Sequence, residues 1–279
     1  MIDGGIVMTN AEYRAKAAIS RSDLFHIGVS PQKFRYAMDN PSPKTPSLIF
    51  GGAFHKYLLE PESFEEEYAV FRRKNNMPEL NRRTKAGKEE WEAFSAIHAG
   101  KDLICAKDLQ TIQAMAESVM RNKYAAALIS KSRHELSFFW TDELTGEDCK
   151  CRPDILFEAG ETHIIADIKT CADASADAFA RDAVKYGYTM QAAMYTEGVQ
   201  RCSGVSCDFL FLCVEKEPPY AVNLLQADEL FLQHGEDTFR ELIGIYHDCR
   251  LSGSWYGYEG PFGMIGNLSL PNYLRKEYE

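Results

Sequence analysis

The chain has 279 residues, of which 45% are hydrophobic and 26% charged, and its formal net charge is −10 at pH 7. That composition is ordinary for a globular protein with a sizeable core. No apolar stretch approaches the ~20 residues of a membrane span, and the first residues lack the pattern of a secretion signal, so we expect a cytoplasmic protein with no membrane partner. The acidity argues against a surface coated with nucleic-acid-binding residues, although a basic groove can lie on an acidic body.

Helices are predicted for the first part of the chain. Residues 9–38 have helical character, with Ser20 and Ser22 as candidate caps and Ser30, followed by a proline, opening a further helix. The proline-rich stretch at 40–46 is typical of a rigid, extended connector.

The pattern continues with a helix at 48–59, whose adjacent glycines permit close approach of another backbone. Residues 64–85 are predicted to be irregular and partly mobile. Apolar residues near helical period then indicate two amphipathic helices, at 86–99 and 106–127.

Strand character dominates after residue 130. Four segments are rich in β-branched and aromatic residues: 133–141, 150–158, 162–169 and 207–214. A helical stretch at 174–202 is predicted to connect the last two strands as a crossover, and a final helix covers 226–250. The aromatic tail from Ser252 onward is predicted to pack on the body as an ordered loop.

We therefore predict one α/β domain of residues 1–279. Its parts would be a mainly helical region at 1–130, a catalytic core at 131–250 and a tail at 251–279. The eight cysteines form no Cys-x-x-Cys pair and the chain is not a short secreted one, so we expect reduced, mostly structural thiols.

Two short motifs carry most of the chemical information. Arg152-Pro-Asp154 precedes Asp167-Ile-Lys169, and Gly160 lies in a predicted hairpin turn between them. Two carboxylates and an ammonium brought together across a hairpin can hold a hard divalent cation beside a positive charge, which suits phosphodiester hydrolysis. An isolated D-x-K sequence is more often a pair of ordinary strand-end charges.

Four further residues are candidates for the same site. His55 lies on a predicted helix, Glu135 starts the strand before the hairpin, and Gln191 and Tyr195 share one face of the crossover helix. Each alone has a mundane explanation as a packed or surface side chain.

In this order, the motifs resemble the PD-(D/E)XK nuclease superfamily and, within it, the RecE-type group of exodeoxyribonucleases (exodeoxyribonuclease VIII, often phage-encoded). The resemblance covers nearly the whole chain, through the segments Ile19-Ser-Arg-Ser-Asp-Leu24, Gly51-Gly-Ala-Phe-His-Lys56, Leu59-Glu-Pro61, Arg83-Thr-Lys-Ala-Gly-Lys88, Glu135 with Phe139-Trp-Thr141, Cys151-Arg-Pro-Asp154, Asp167-Ile-Lys-Thr170, Tyr186-Gly-Tyr188 and Gln191-Ala-Ala-Met-Tyr195. It implies a restriction-endonuclease-like core, a central mixed sheet flanked by helices, with a helical N-terminal extension.

The resemblance also implies roles for individual residues. One Mg²⁺, with Mn²⁺ accepted, would be held by four groups: His55, Asp154, Asp167 and the main-chain carbonyl of Ile168. Glu135 would hold a second ion or its waters. Lys169 would position the nucleophile at the scissile phosphate, and Gln191 and Tyr195 would orient the lysine, the water or a phosphate.

By the same resemblance we expect a processive exonuclease that digests double-stranded DNA from a 5′ end inside a ring-shaped homo-tetramer. It would leave 3′ single strands for a RecT-type annealing partner in recombination. Basic residues around positions 72–88 are candidates for DNA backbone contacts: Arg72, Arg73, Arg82, Arg83, Lys85 and Lys88.

Three alternatives stay open. The first is an endonuclease or single-strand nuclease that uses the same residues. The second is a non-catalytic module that binds DNA ends, although both acids and the lysine are intact. A small-molecule hydrolase is more distant, because the chain has no Gly-x-Ser-x-Gly, P-loop or dinucleotide fingerprint.

Overall fold

The computed structural model of the protein describes residues 4–73, 83–271 and 275. Its helices are α1 (Asn10–Ala15), α2 (Arg21–Val29), α3 (Pro31–Asp39), α4 (Pro46–Leu59), α5 (Phe64–Glu67), α6 (Lys85–Ile97), α7 (Ala106–Arg121), α8 (Lys123–Ser130), α9 (Ala176–Lys185), α10 (Tyr188–Ser203) and α11 (Glu229–Ser252). Its strands are β1 (Tyr68–Phe71), β2 (Asp102–Cys105), β3 (Arg133–His134), β4 (Phe138–Thr141), β5 (Asp148–Cys151), β6 (Ile155–Ala159), β7 (Thr162–Cys171), β8 (Ser206–Glu215) and β9 (Val222–Gln226). Among these helices, none is both long and apolar enough to cross a bilayer.

The centre of the fold is a five-stranded mixed sheet in the order β3-β6-β7-β8-β9. Strands β7 and β8 pair in parallel, and the other neighbours pair antiparallel. Helices α9 and α10 form the crossover that a parallel pair requires. The predicted mixed sheet flanked by helices is therefore confirmed.

Each face of the sheet buries its own hydrophobic cluster. Alternation along β8 sends Phe209 and Phe211 into the cluster that contains residues of α2, α10 and α11. Leu212 and Val214 enter the opposite cluster, which contains Phe54 of α4 and residues of α7 and α8. Because α4 packs on the sheet itself, the predicted helical part and the predicted catalytic core share one hydrophobic cluster.

Side-chain caps set several helix boundaries. Ser20 caps α2 through a reciprocal pair of bonds with Asp23, and Ser30 caps α3, as predicted. Ser22 lies inside α2 and is not its cap. The predicted single helix at 106–127 is wrong, because Asn122 is extended and caps a separate α8.

The structure corrects the strand predictions where pairing is non-local. Residues Tyr68–Phe71, predicted to be irregular, form β1, which pairs in parallel with the unpredicted β2. Strand β9 was also not predicted, and it pairs with β8 at the edge of the sheet. These strands are only four or five residues long, and they are stable because of a partner that sequence pattern does not reveal.

Two predicted strands are each divided in the structure. The segment 133–141 changes direction at Glu135, whose φ is +53°, so β3 joins the central sheet while β4 pairs with β5 in a two-stranded sheet. The segment 150–158 likewise divides between β5 and β6, around Asp154. Both interruptions fall at candidate site residues.

The aromatic tail packs on the body only over its first part. The rings of Trp255 and Phe34 have centroids 5.5 Å apart, and Gln32 donates its backbone N–H to the carbonyl of Tyr256. Farther along, Phe262 is 84% exposed and Ile265 is 99% exposed. The prediction of a packed tail is therefore wrong for residues 261–271, which are exposed.

Candidate metal centre

The structure brings three candidate ligands together in one group, which we call the histidine cluster: His55, Glu135 and Asp154. Each offers one ligand atom, and these atoms lie within 4.8 Å of one another. They come from three separate places in the chain, helix α4, the end of β3 and the start of β6. Within the described ranges, this is the group of His, Cys, Asp and Glu residues that could hold a metal ion.

The predicted hairpin places Asp154 beside the second motif. Strands β6 and β7 are joined through Gly160, which has a φ of +73° in the tight turn. Their register pairs Ile155 with Ala166, so Asp154 lies at the level of Asp167. The Asp154 carboxylate accepts a 2.7 Å hydrogen bond from the backbone N–H of Ile168. Because the N–H and C=O of one strand residue point to the same side, the carbonyl of Ile168 also faces this edge.

Asp154 and His55 form the closest pair of the histidine cluster. The distance from His55 Nδ1 to Asp154 Oδ2 is 3.3 Å. Burial alone would lower the pKa of His55, but the carboxylates, Asp154 first, raise it to about 9. Burial raises the pKa of Asp154, but His55, Lys169 and the N–H of Ile168 together outweigh it, so the pKa of Asp154 is lowered.

Glu135 occupies an unusual backbone position. Its φ of +53° lies in the left-handed region that residues other than glycine seldom adopt. Its N–H donates to the carbonyl of Asp154 at 3.1 Å, which ties the two acids together. Burial, and then the negative charge of Asp154, raise the pKa of Glu135 to about 8. In the protein without metal, His55 and Glu135 therefore both hold protons at neutral pH.

Arg152 contacts both the backbone and the side chain of Glu135. Its Nε donates to the Glu135 carbonyl at 3.0 Å and lies 3.5 Å from the Glu135 carboxylate. Its other nitrogens donate to the carbonyl of Met8 and to the side chain of Asn10, and the guanidinium lies over the ring of Tyr13. The segment around α1 is thereby attached to the wall of the site.

A second group, the lysine cluster, consists of Asp167, Lys169 and Gln191. Lys169 Nζ lies 2.5 Å from Asp167 Oδ2, and Gln191 Nε2 donates to Asp167 Oδ1 at 2.6 Å. Asp167 is only 3% exposed. Burial and the charge of Asp154 raise its pKa against the opposing effect of Lys169. Asp167 thus contacts the lysine and the glutamine and does not belong to the histidine cluster.

Tyr195 follows Gln191 by one turn on α10, as the spacing predicts. Its ring packs against Phe209 with centroids 6.4 Å apart, and burial raises the pKa of its hydroxyl well above 10. Its role in orienting a reactant stays a prediction.

The predicted DNA-binding residues lie near α6. Arg72 and Lys88 are exposed, and Lys85 lies 3.9 Å from Glu89. Arg73 makes a 2.5 Å ion pair with Glu90, and Arg83 lies just before the Thr84 cap of α6. The remaining candidate, Arg82, falls outside the described residues. Contact of these side chains with DNA stays a prediction.

A wide cavity of about 780 Å³ opens beside His55 and Glu135. Its wall carries both signs of charge, including Arg14 and Lys44 as well as Glu66. His55 and Glu135 therefore line an open groove, while Asp154 lies buried behind them.

Two neighbours of the site were not assigned a role from sequence: Arg152, which contacts Glu135, and Tyr188, whose ring lies under Lys169. The spacing of the sequence could have indicated Tyr188, because this residue precedes Gln191 by three positions on the same helix face. For Arg152 only its proximity to Asp154 in the chain gave a signal.

The donor set fits a divalent cation. One imidazole nitrogen and carboxylate oxygens suit Mn²⁺ well and Mg²⁺ through its oxygens. Burial and then the charge of Asp154 raise the pKa of Glu135, and the carboxylates raise that of His55, so a divalent cation would neutralise negative charge in the histidine cluster.

Comparison with known proteins agrees with this fold. The chain belongs to the DUF3799 family, described as a PDDEXK-like domain of unknown function, whose model matches residues 30–261. A crystal structure from Eubacterium rectale, described as a "putative exonuclease", shares 14% sequence identity, with 98% of each chain covered and a TM-score of 0.62. At that identity the match shows a common fold.

A second solved protein, SSO0001, also shares 14% identity over 71% of this chain and 87% of its own. Its TM-score of 0.29 is too low to support an argument. No curated protein matches the chain.

Proposed function

We propose that the protein is a metal-dependent nuclease that hydrolyses phosphodiester bonds in DNA. The observation that carries the proposal is the histidine cluster, three ligand atoms within 4.8 Å of one another, whose Asp154 adjoins the β6–β7 hairpin that also carries Lys169. Membership of the PDDEXK-like family supports the same class of reaction.

His55, Asp154 and Glu135 would hold the metal, with the carboxylate of Asp167 and the carbonyl of Ile168 as further oxygens nearby. A bound Mg²⁺ or Mn²⁺ supplies two effects, a lower pKa for a bound water and neutralisation of charge on the leaving oxygen. The residues of the histidine cluster lie on a helix and two strand ends, so the backbone holds them in place before substrate arrives.

Lys169 would contact the scissile phosphate. Its ammonium has three N–H donors, and the contact with Asp167 uses one of them. The others are free to orient the attacking water and to offset charge that develops on the phosphoryl oxygens. Gln191 fixes Asp167 through a 2.6 Å hydrogen bond and so fixes the lysine indirectly.

The finer proposal is an exonuclease that acts on double-stranded DNA ends in the 5′→3′ direction. Its products would be 3′ single strands for an annealing partner of the RecT type, and the subunits would form a ring, as the motif resemblance implies. The description of the structurally similar Eubacterium rectale protein supports exonuclease activity. Arg72, Lys85 and Lys88 are exposed and available for phosphate contacts.

The test is incubation of linear duplex DNA labelled at the 5′ or the 3′ end, beside a closed circular duplex, with Mg²⁺, Mn²⁺ or a chelator. We expect metal-dependent loss of the 5′ label first and no cleavage of the circle. Cutting of the circle would instead indicate an endonuclease, and faster digestion of a labelled single strand included in the same assay would indicate a single-strand nuclease. Binding to ends without cleavage under any metal condition would identify a non-catalytic module and overturn the proposal.

A salt series belongs to the same experiment. Several phosphate contacts release counterions, so we expect cleavage to fall steeply between low and physiological ionic strength. Cleavage that is insensitive to salt would contradict a basic DNA channel while leaving the metal site unaffected.

A further inference from the structure

The first turn of α10 holds both members of the Asp167–Lys169 ion pair. Gln191 donates to Asp167 Oδ1, and Tyr188, three residues earlier on the same helix, presents its ring to the lysine. The distance from Lys169 Nζ to the centroid of the Tyr188 ring is 4.4 Å. An ammonium at this distance over an aromatic face is attracted by the ring quadrupole.

The ring of Tyr188 is itself fixed in place. It stacks on Phe179 with centroids 6.0 Å apart and an interplanar angle of 23°, and it contacts Phe211, which is 2% exposed. The backbone before it turns at Gly187, where φ is +67° and an added Cβ would lie 3.0 Å from the ring of Phe25. Core packing therefore determines where the aromatic face lies.

A second cation uses the same ring. The guanidinium carbon of Arg21 lies 5.3 Å from the Tyr188 centroid, and Arg21 also donates to the carbonyl of Tyr186. Two positive charges near one site repel each other, and the attraction of each cation to the ring offsets part of that cost. The ring thus confines Lys169 on one side while Asp167 confines it on another.

We propose that Tyr188 is a positioning residue for Lys169: its ring face and Asp167 together hold the ammonium where it meets the scissile phosphate. This inference rests on the proposed nuclease function. It assigns Tyr188 an effect on the chemical step and none on metal binding or DNA binding, because the ring contacts only the lysine side of the site.

The test compares Tyr188→Leu and Tyr188→Phe with a matched control, Tyr124→Leu. The control removes an exposed tyrosine of α8 that has its own lysine, Lys123, 4.8 Å from the ring centroid and outside the site. We expect Tyr188→Leu to lower kcat about tenfold to thirtyfold, with KM and the Kd for Mn²⁺ unchanged. Tyr188→Phe keeps the ring face and should remain within about threefold of wild type, and Tyr124→Leu should match wild type.

Two further variants separate positioning from folding. Fluorinated phenylalanine at position 188 keeps the shape of the ring and weakens its negative face, so kcat should fall with each added fluorine. In a Lys169→Met background, Tyr188→Leu should have no additional effect, because the side chain it positions is absent.

The outcomes are distinguishable. If wild-type protein does not cleave DNA, the proposed function fails and this inference fails with it. If wild type cleaves, the inference is overturned by any of three results: full kcat in Tyr188→Leu, equal loss in Tyr188→Phe and Tyr188→Leu, or no response to fluorination.

Discussion

The histidine cluster and the lysine cluster each include an aspartate of the β6–β7 hairpin region, and they differ in the groups that face that aspartate. In the lysine cluster, Asp167 contacts an ammonium at 2.5 Å and an amide at 2.6 Å, while burial and Asp154 raise its pKa against the effect of Lys169. In the histidine cluster, two carboxylates face one imidazole. There the pKa of His55 is raised to about 9 and that of Glu135 to about 8.

The two clusters therefore suit different tasks in one site, positioning of the lysine and binding of the metal. A cation that already has a carboxylate partner, as Lys169 has in Asp167, can be positioned before any ligand binds. An imidazole and a carboxyl group that hold protons at neutral pH release them when a divalent cation binds. Substitutions in the two clusters should therefore fail in different ways.

The largest effect is expected from Asp154→Asn, in the histidine cluster. The substitution keeps the shape of the side chain and an oxygen for the Ile168 N–H, but it removes the charge shared by His55 and Glu135. We expect Mn²⁺ affinity, measured by calorimetry, to fall by at least about a hundredfold and cleavage to disappear. Glu158→Gln, on the exposed end of β6, is the matched control and should behave as wild type. Tight Mn²⁺ binding by Asp154→Asn would show that the histidine cluster is not the metal site.

The next effect is expected from Lys169→Ala, in the lysine cluster. Its loss removes a cation from the reacting phosphate, so kcat should fall roughly a hundredfold to a thousandfold. Metal binding should persist, because the three residues of the histidine cluster are untouched. Equal loss of Mn²⁺ affinity in Lys169→Ala and Asp154→Asn would show that the two clusters act as one unit.

The pH dependence of stability should reveal the raised pKa values in the histidine cluster. The folded pKa values of His55 and Glu135 lie above their ordinary values of 6.5 and 4.5, so the metal-free native state binds more protons than the unfolded state. The free energy of unfolding should therefore fall, by on the order of 1–3 kcal/mol, as the pH rises from about 4.5, where Glu135 titrates in the unfolded chain, to about 9. Thermal unfolding in chelator at several pH values measures this. Excess Mn²⁺ should reverse the trend, and a flat pH profile in chelator would contradict it.

The smallest effect is expected from Glu135→Gln. Removing a buried carboxyl beside Asp154 relieves repulsion, so the metal-free protein should gain about 1 kcal/mol of stability at pH 9, where Glu135 is otherwise ionised. The gain should vanish at pH 5, because wild-type Glu135 is then protonated. A variant that is less stable at both values would indicate that the bond network with Arg152 outweighs the charge effect.

Much of this arrangement could be predicted from local sequence. The spacing of Asp154 and Asp167 around Gly160 predicts a hairpin that brings them level, and the four-residue interval predicts that Gln191 and Tyr195 share a helix face. These inferences depend only on strand and helix periodicity, which few residues suffice to define.

Features that depend on contacts between distant parts of the chain could not be predicted from the sequence. The division of 133–141 depends on the left-handed backbone of Glu135 and on which sheet each half joins, and neither follows from hydrophobic pattern. Asp167 accepts a hydrogen bond from Gln191, which lies 24 residues away in the chain and adjacent in space, and that contact does not follow from strand pattern. Short strands such as β1 and β9 likewise depend on partners from distant parts of the chain.

The most direct measurement is anomalous X-ray diffraction from crystals of the protein soaked in Mn²⁺. A peak within bonding distance of His55, Glu135 and Asp154, absent in Asp154→Asn crystals and retained in Lys169→Ala crystals, is the result expected if the histidine cluster is the metal centre. A well-ordered site with no peak there, or a peak held by other residues, would contradict that assignment and the nuclease function that rests on it.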